Sequence, residues 1–323
     1  MKHLNKILIL TAVLLLVLTA VISSASAGAR TPVTIQILSV SDWHAQLDPI
    51  SGVGGAAQLS TYFQNERANN PNTLTFTAGD AYGAAPPLSS FFNEEPAVLS
   101  MNLMGFDADT FGNHNFDKGV DHLQQMIDLA EFPYVSANLR NRDDNLTGVT
   151  DYQIFDVGGV RVAVVGVTNP EAPTLVFPGS FGTIEVTDPA IAANRAYQAA
   201  KRDGARVFIL LTHMGITGYD TATGEPYGPL IDLARRVSPY HVILGDHTDF
   251  QYTGIINNRL VVENRSKGLT YARTTLTVNP SDGHLLNRSV EFVTPLASAV
   301  TPDPAIVSLL QPYRDALGPI WVK

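Results

Sequence analysis

Segments of strand length alternate with segments of helix length through most of the chain after residue 32. This alternation constrains the fold more than any other feature, because sheets and helices bury their apolar faces by stacking in layers. The run VTIQILSV at Val33–Val40 predicts a buried strand, and Gly54–Asn69 places apolar residues at helical spacing. An aspartate followed by a proline predicts the start of a helix over Pro189–Arg202. We therefore predict a single mixed α/β domain in which two sheets are covered by helices.

The other predicted elements follow the same pattern, and no internal repeat or low-complexity linker interrupts them. The remaining predicted strands are Thr73–Ala78, Ala108–Phe111, Tyr134–Asn138, Tyr152–Val157 and Val160–Val167 (a hairpin), Val207–Leu211, Val242–Leu244, and three or four antiparallel strands between Gly254 and Phe292. The remaining predicted helices are Ala97–Met104, Val120–Ala130, Leu230–Val237 and Ala305–Leu317. The order of the strands within the sheets does not follow from the sequence.

The N-terminal segment has the three parts of a secretory signal peptide. Lys2 and Lys6 precede the apolar run Ile7–Ile22, and small residues ending in Ala25-Ser26-Ala27 follow it. We expect cleavage after Ala27 and an exported protein that is periplasmic, attached to the cell surface or extracellular. The alternative is an uncleaved membrane anchor, although the apolar run is somewhat short for a span.

Charge and cysteine content exclude several classes of function. Removal of residues 1–27 takes away two basic and no acidic residues, which changes the formal charge from −9 to −11. An acidic surface argues against binding of a nucleic-acid backbone as the main task. A small phosphorylated substrate is still compatible, because bound metal ions dominate the local field. The chain has no cysteine, which excludes a thiol nucleophile and a zinc–thiolate site.

Potential metal ligands follow five of the predicted strands at the point where each strand ends. In α/β folds, the loops beyond the carboxyl ends of strands converge on a common crevice. Each of these residues alone could be a loop cap, a turn residue or a buried structural histidine, but the same placement recurs five times. The residues are Asp42, His44, Asp80, Asn113, His114, His213, His247 and Asp249.

The remaining histidines provide a comparison, because none of them follows the end of an apolar strand. His3, His122, His241 and His284 are therefore interpreted as structural or solvated. The ligands at the strand ends are imidazole, carboxylate and amide groups, which favour Zn, Mn, Fe, Co or Ni. They are too many for one tetrahedral ion and suit two divalent ions that share a bridging carboxylate. Such a pair favours in-line displacement at phosphorus.

These residues also match the motifs of a known family. The order D-x-H, G-D, G-N-H-x-F-D, H and G-x-H resembles the calcineurin-like metallophosphatases, and the segments SVSDWHAQLD, YVSANL and GNHNFD resemble their 5′-nucleotidase branch. The resemblance extends over Val33–Leu317 and implies a two-sheet sandwich in four layers. It implies a catalytic domain over residues 33–300, followed by a linker-like helix over residues 301–323. We do not expect the family's second, substrate-binding domain within these 323 residues, which are either a fragment of a longer protein or a lone catalytic domain.

The resemblance also implies roles for individual residues. The first ion would be bound by Asp42 and His44, the second by Asn113, His213 and His247, and Asp80 would bridge both. Asp249 stands where the family has His or Gln, so it would complete the first site. His114 and Asp117 resemble the catalytic pair, in which the carboxylate orients a protonated imidazole beside the phosphoryl group. Asp117 could instead cap the helix that starts near Gly119.

Two further positions differ from the family pattern. Asn115 stands where an acidic residue is usual, and Asp246 stands where a glycine is usual. Asp246 either supports His247 or is a plain turn residue. The implied function is an exported dimetal phosphoester hydrolase acting on a small phosphorylated substrate such as a nucleotide. The alternatives are a 2′,3′-cyclic phosphodiesterase, a nucleotide-sugar pyrophosphatase and a non-catalytic exported binding module.

Overall fold

The computed structural model describes residues 31–321, with side chains up to residue 318. The predicted signal peptide and its alternative, a membrane anchor, concern residues 1–27 and lie outside the described residues. Among residues 31–321, no helix combines the length and the apolar character that a membrane crossing requires.

The first sheet is built from strands near the two ends of the chain. Its order is β16-β15-β1-β2, with β1 parallel to β2 and the other two pairs antiparallel. Val33 in β1 pairs with Val278 in β15, so the register joins residues that are far apart in sequence. The strands are β1 (Val33–Val40), β2 (Thr73–Thr77), β15 (Tyr271–Val278) and β16 (Leu285–Val293).

The second sheet has six strands from the middle of the chain, in the order β13-β14-β12-β9-β7-β6. Its four central strands are parallel, and the two edge strands are antiparallel to their neighbours. The strands are β6 (Tyr152–Val157), β7 (Val160–Val167), β9 (Val207–Thr212), β12 (Val242–Gly245), β13 (Tyr252–Ile256) and β14 (Arg259–Glu263). Three short pairs lie outside the two sheets: β3 (Tyr134–Val135) with β5 (Val149–Thr150), β4 (Leu139–Arg140) with β8 (Glu185–Val186), and β10 (Gly218–Tyr219) with β11 (Pro226–Tyr227).

Helices cover the outer faces of both sheets. They are α1 (Ala56–Asn69), α2 (Pro87–Ser90), α3 (Glu95–Met104), α4 (Val120–Leu129), α5 (Pro189–Arg202), α6 (Pro229–Arg236) and α7 (Pro304–Trp321). The Asp188 carboxylate accepts a hydrogen bond from the Ile191 N–H, so it caps α5 as predicted. The apolar cluster that contains the buried residues of α1 also contains Ile306, Leu310 and Leu317 of α7. The predicted fold of two sheets flanked by helices is therefore confirmed.

Successive side chains of the strands divide between two apolar layers. Ile35 and Ile37 of β1 are buried in the cluster between the sheets, whereas Leu38 and Val40 belong to the cluster beneath the helices. A strand directs alternate side chains to opposite faces. Because both faces of the central strands are covered, the strands read as continuous apolar runs in the sequence.

The structure differs from the predicted elements in three places. Residues Ala108–Phe111 form only isolated bridges, and the strand expected over Tyr134–Asn138 has two residues. The expected antiparallel array after Gly254 has four strands, but they divide between the two sheets. In addition, β14 runs parallel to β12. Pairing partners depend on contacts across the whole chain, which local residue patterns do not contain.

Gly166, in β7, lies against the backbone of β3. A Cβ atom at Gly166 would lie 1.9 Å from the Val135 carbonyl oxygen, which neither backbone segment can avoid without moving. We expect Gly166→Ala to lower the free energy of unfolding by about 3 kcal/mol, measured by urea denaturation. Gly318→Ala is the matched control, because nothing lies within 4 Å of the added Cβ. Equal unfolding free energies for the two variants would contradict this close packing of β7 on β3.

Candidate metal centre

The loops after four strands meet at one end of the sandwich and bring five predicted residues together. The His213 Nε2 atom lies 2.9 Å from the Asp80 Oδ2 atom and 3.9 Å from the Asp42 Oδ1 atom. The His44 Nε2 atom lies 3.6 Å from Asp42 Oδ1, and the His247 Nδ1 atom lies 3.1 Å from His213 Nε2. Asp42, His44 and Asp80 follow strands of the first sheet, whereas His213 and His247 follow strands of the second. The site therefore spans the junction of the two sheets.

Within the described residues, the ligand atoms form three overlapping groups, and in each group they lie within 4.8 Å of one another. The groups are Asp42–His44–Asp80, Asp80–His213–His247 and Asp42–His213–Asp246. Because Asp80 belongs to the first two groups, a carboxylate stands between two sets of ligands. This is the arrangement that a pair of bridged divalent ions requires.

Hydrogen bonds to the backbone orient two of the imidazoles. The Nδ1 atom of His44 lies 2.9 Å from the Gly83 carbonyl oxygen, and the Nδ1 atom of His213 lies 3.1 Å from the Ala78 carbonyl oxygen. A proton on Nδ1 leaves Nε2 with a free lone pair, which is the usual way a protein prepares a histidine ligand. The Asn113 Oδ1 atom is buried and has no hydrogen-bond partner among the described residues. A cation would satisfy this amide oxygen, so the residues present fit a metal site.

The charges of the site also call for a cation. Burial alone would raise the pKa of Asp80, but the adjacent His213 imidazolium outweighs that effect and lowers it. Conversely, burial would lower the pKa of His213, but Asp80 raises it to about 9. Burial raises the pKa of Asp246 well above its usual value, and the neighbouring Asp42 carboxylate adds to this. The carboxylates thus hold positive charge in the site, and a divalent ion would replace the proton on His213.

Several of these residues have an unusual backbone conformation. The φ angles are 38° at Asp42, 49° at His44, 50° at Asp80 and 92° at His247. Residues other than glycine rarely adopt positive φ, and such conformations cluster at functional sites. Gly112 permits a close approach in the same region, because a Cβ atom there would lie 2.2 Å from Asp80 Oδ1.

His114 and Asp117 lie beside this cluster as a hydrogen-bonded pair. The His114 Nδ1 atom lies 2.8 Å from the Asp117 Oδ2 atom, and the His114 N–H donates to Asp80 Oδ1 at 2.8 Å. The hydrogen bond to Asp117 raises the pKa of His114. Gly119 occupies the N-cap position of α4, and α4 has no side-chain cap. Asp117 therefore orients His114 and does not cap the helix.

The structure places Asp249 apart from the other predicted ligands, and it favours one of the two interpretations of Asp246, the support of His247. The Asp249 side chain is exposed, and Asp249 belongs to none of the three groups. Asp246 is fully buried and accepts hydrogen bonds from the N–H groups of Asp42 and His247, each at 3.0 Å. Asp246 thus joins the loops of the two sheets and is not a plain turn residue.

Three residues outside the predicted ligand set hold these loops in place. The Asp109 carboxylate accepts the Gly79 N–H at 3.0 Å, and burial raises the pKa of Asp109 to about 8. The Asn115 Oδ1 atom accepts the Asp80 N–H at 3.0 Å. Glu263 accepts hydrogen bonds from Thr248, the residue after His247. Glu263 directly follows the apolar residues LVV of β14, so the strand-end pattern could have identified it. No comparable sequence pattern points to Asp109.

Comparisons with known proteins agree with this geometry. The sequence model described as calcineurin-like phosphoesterase matches residues 35–248. Endonuclease YhcR of Bacillus subtilis is 30% identical over 314 residues, which cover 89% of this chain and 26% of that protein. The 5′-nucleotidase of Rattus norvegicus is 32% identical over 237 residues, which cover 68% of this chain and 39% of that protein. The chain thus spans well under half the length of either relative.

A solved structure has the same fold. The 5′-nucleotidase precursor from Thermus thermophilus is similar to this chain with a TM-score of 0.76 and 26% identity. The similarity covers 88% of this chain and 59% of that one.

Proposed function

Because the chain belongs to the calcineurin-like phosphoesterase family of metal-dependent phosphoester hydrolases, we propose that it hydrolyses phosphomonoesters of the 5′-nucleotide type with two divalent ions. The observation that carries the proposal is the position of Asp80 between two sets of ligand atoms, one from each sheet. Similarity to a 5′-nucleotidase supports a nucleotide as the substrate.

The proposed ligands follow from the first two groups and from the unpartnered Asn113 oxygen. Asp42 and His44 hold one ion, Asp80 bridges, and Asn113, His213 and His247 hold the other. We propose that Asp249 stays outside and that water or substrate completes the first site. When bound, the two ions supply an activated water and neutralise the phosphate charge.

His114 has a separate task in this proposal. Asp117 occupies the Nδ1 atom of His114, so Nε2 is the ring nitrogen that faces the substrate. A protonated His114 stabilises charge on the phosphoryl group or donates a proton to the leaving oxygen. The His114 N–H bond to Asp80 fixes the pair relative to the bridging carboxylate.

We also propose that the protein is exported, on the basis of the signal-peptide pattern in residues 1–27.

A phosphodiesterase is the second candidate function, because a relative that aligns with 89% of the chain is named an endonuclease. The formal charge of −9 argues against a long nucleic-acid substrate. The negative charge does not argue against a cyclic nucleotide or a nucleotide sugar as the substrate.

A metal and substrate panel tests the proposal. The purified full chain would be stripped with a chelator, reloaded separately with Zn, Mn, Fe, Co or Ni, and analysed for metal content. Its rates on 5′-AMP, p-nitrophenyl phosphate, cyclic 2′,3′-AMP, UDP-glucose and single-stranded DNA would then be compared. We expect two ions per chain and the highest kcat/KM on a phosphomonoester. Faster turnover of a diester would favour the second candidate, and no hydrolysis with any ion would refute both.

Replacement of Asp249 tests the ligand set. We expect Asp249→Ala to keep both ions, because its exposed carboxylate lies outside the three groups. Asp246→Ala is the comparison, since it removes the acceptor that joins the Asp42 and His247 loops. Loss of such supporting partners typically weakens metal affinity roughly 10- to 100-fold. Metal content measured after dialysis would refute this assignment if only Asp249→Ala lost an ion.

A further inference from the structure

A groove of about 980 Å³ lies at the end of the sandwich opposite the metal centre. This distal groove is lined by Lys201 of α5, by the segments before β9 and β12, by the β13–β14 turn, and by residues 281–288 of the turn into β16. The candidate ligands His213 and His247 follow the other ends of β9 and β12. Because β9 has six residues and a strand rises about 3.3 Å per residue, roughly 20 Å of sheet separates the distal groove from the metal centre.

Three basic side chains line the distal groove without a carboxylate partner. They are Lys201, Arg206 and Arg288. Among residues 31–318, the ion pairs at this end involve other arginines, such as Arg236 with Asp188. Lys201 and Arg206 are exposed and Arg288 is half-buried, so a ligand in the groove can reach their charged groups. Three positive charges are therefore available for an anion.

The remaining polar residues of the lining do not cancel these charges. Asp282 is the only carboxylate that lines the groove among residues 31–318, and its Oδ1 atom already accepts the His284 N–H at 2.9 Å. Burial lowers the pKa of the adjacent His241, and the charges of Arg288 and His284 lower it further, although the hydrogen bond with Gly283 opposes them. A proton is thus disfavoured at this point of the groove, as expected for a positive local potential.

The sign of the distal groove is opposite to that of the chain as a whole. The formal charge of the chain is −9, whereas the lining carries three basic side chains and one carboxylate. Beside the groove, Arg161 and Arg202 are balanced by Asp156 and Asp203, so the excess in the lining is not offset. A cleft lined by charges of one sign focuses the electrostatic potential and attracts ligands of the other sign.

The donors of the distal groove favour phosphate groups. The guanidinium group presents its N–H donors in a planar fork that matches the oxygens of a phosphate, and an ammonium group adds a compact charge. The aromatic residues of the lining are nearly inaccessible, since Tyr197, Phe208 and Tyr240 are 7%, 4% and 1% exposed. No ring face is therefore available to stack on a nucleobase, which is how single-stranded nucleic acids are usually held.

The size of the distal groove favours more than one phosphate group. Pockets for small molecules range from about 300 to 1,000 Å³, so a groove of about 980 Å³ is far larger than one phosphate requires. The basic groups also come from both sheets, with Lys201 and Arg206 beside the second sheet and Arg288 in the first. A ligand that contacts all three must carry several negative charges along its length.

We propose that the distal groove binds a polyphosphate, that is, a chain of several linked phosphate groups, at a site separate from the metal centre. The phosphates contact Lys201 and Arg206 on the side of the second sheet and Arg288 on the side of the first. A nucleoside polyphosphate and an inorganic polyphosphate share this chemistry. The proposal does not depend on the reaction at the metal centre.

A pair of charge-removing variants tests the proposal. Isothermal titration calorimetry would measure the Kd of a short inorganic polyphosphate for the full chain with its ions and for Lys201→Gln/Arg206→Gln. We expect Kd to rise roughly tenfold or more in this variant, because two charge-assisted contacts are lost. Arg288→Gln, in the other sheet, should also weaken binding. A Kd within twofold of the wild type for both variants would overturn the proposal.

The matched control is Arg140→Gln/Arg314→Gln, which changes the net charge by the same amount at two exposed arginines outside the lining. We expect its Kd to stay within twofold of the wild type. An equal loss of affinity in the control would show that only the net charge matters, and it would overturn the proposal. Circular dichroism would establish that all variants are folded.

Two further measurements identify the ligand and its position. ATP and the inorganic polyphosphate would be compared with an oligothymidylate that has the same number of phosphates as the polyphosphate. Tighter binding of ATP assigns the groove to free nucleotides, and tighter binding of the polyphosphate assigns it to the polymer. Tighter binding of the oligothymidylate would overturn the proposal. In ¹H–¹⁵N NMR spectra, we expect the polyphosphate to shift the amide signals of residues 281–288, and shifts confined to the metal centre would contradict a distal site.

Discussion

Asp80→Ala should lower the metal content from two ions to fewer than one per chain and reduce turnover by roughly 10³-fold or more. Asp80 belongs to two of the three ligand groups, and its Oδ1 atom also accepts the His114 N–H at 2.8 Å. The variant would therefore lose the proposed bridge between the ions and the contact that positions His114. Metal analysis and hydrolysis of p-nitrophenyl phosphate would measure the two effects on the same sample.

Asp144→Ala provides the control for a lost surface carboxylate, because Asp144 is exposed in a short helical turn after β4. It should keep both ions and normal turnover. Circular dichroism would establish that Asp80→Ala is folded. Retention of two tightly bound ions by a folded Asp80→Ala protein would show that Asp80 is not the bridge.

His114→Asn should lower kcat by roughly 10²-fold or more while both ions remain bound. The His114 side chain belongs to none of the three ligand groups, and its imidazole is held by Asp117 at 2.8 Å. Asp117→Asn should have a smaller effect, because it removes the orienting carboxylate and keeps the imidazole. The measurements are kcat and metal content for both variants.

The choice of substrate sharpens the test of His114. p-Nitrophenolate leaves without a proton, whereas the alkoxide from 5′-AMP requires one. If His114 is the general acid, His114→Asn should impair 5′-AMP hydrolysis more than p-nitrophenyl phosphate hydrolysis. Equal losses would assign His114 to charge stabilisation, and near-normal kcat on both substrates would refute a catalytic role.

The strand-end pattern predicted five of the residues that lie together at this end of the sandwich, because the pattern depends on local sequence. His213 follows an apolar run, and the structure buries it completely at the end of β9, in contact with Asp80. The same rule excluded His241 from the predicted site. In the structure, the ring nitrogens of His241 form hydrogen bonds with the Phe208 N–H and the Gly283 carbonyl oxygen. Carboxyl ends of neighbouring parallel strands lie at one edge of a sheet, so the rule needs no knowledge of strand order.

The rest of the site depends on contacts between distant segments. Asp246 resembles an ordinary turn residue in the sequence, but it is buried because its two oxygens meet N–H groups from both sheets. The exposure of Asp249 depends on how the loop after β12 packs, which residue type does not determine.

The candidate ligands come from both sheets. Ion binding to the complete site therefore depends on the folding of both sheets. The first sheet closes only when β15, near residue 271, pairs with β1, and the second sheet forms entirely from the chain between them. Pairing across so long a stretch carries a large loop-closure entropy and is slow. A chain released before β15 joins would hold Asp42 and Asp80 on a strand pair without its neighbour. Ions that bind this site would stabilise the finished sandwich and would not stabilise its precursors.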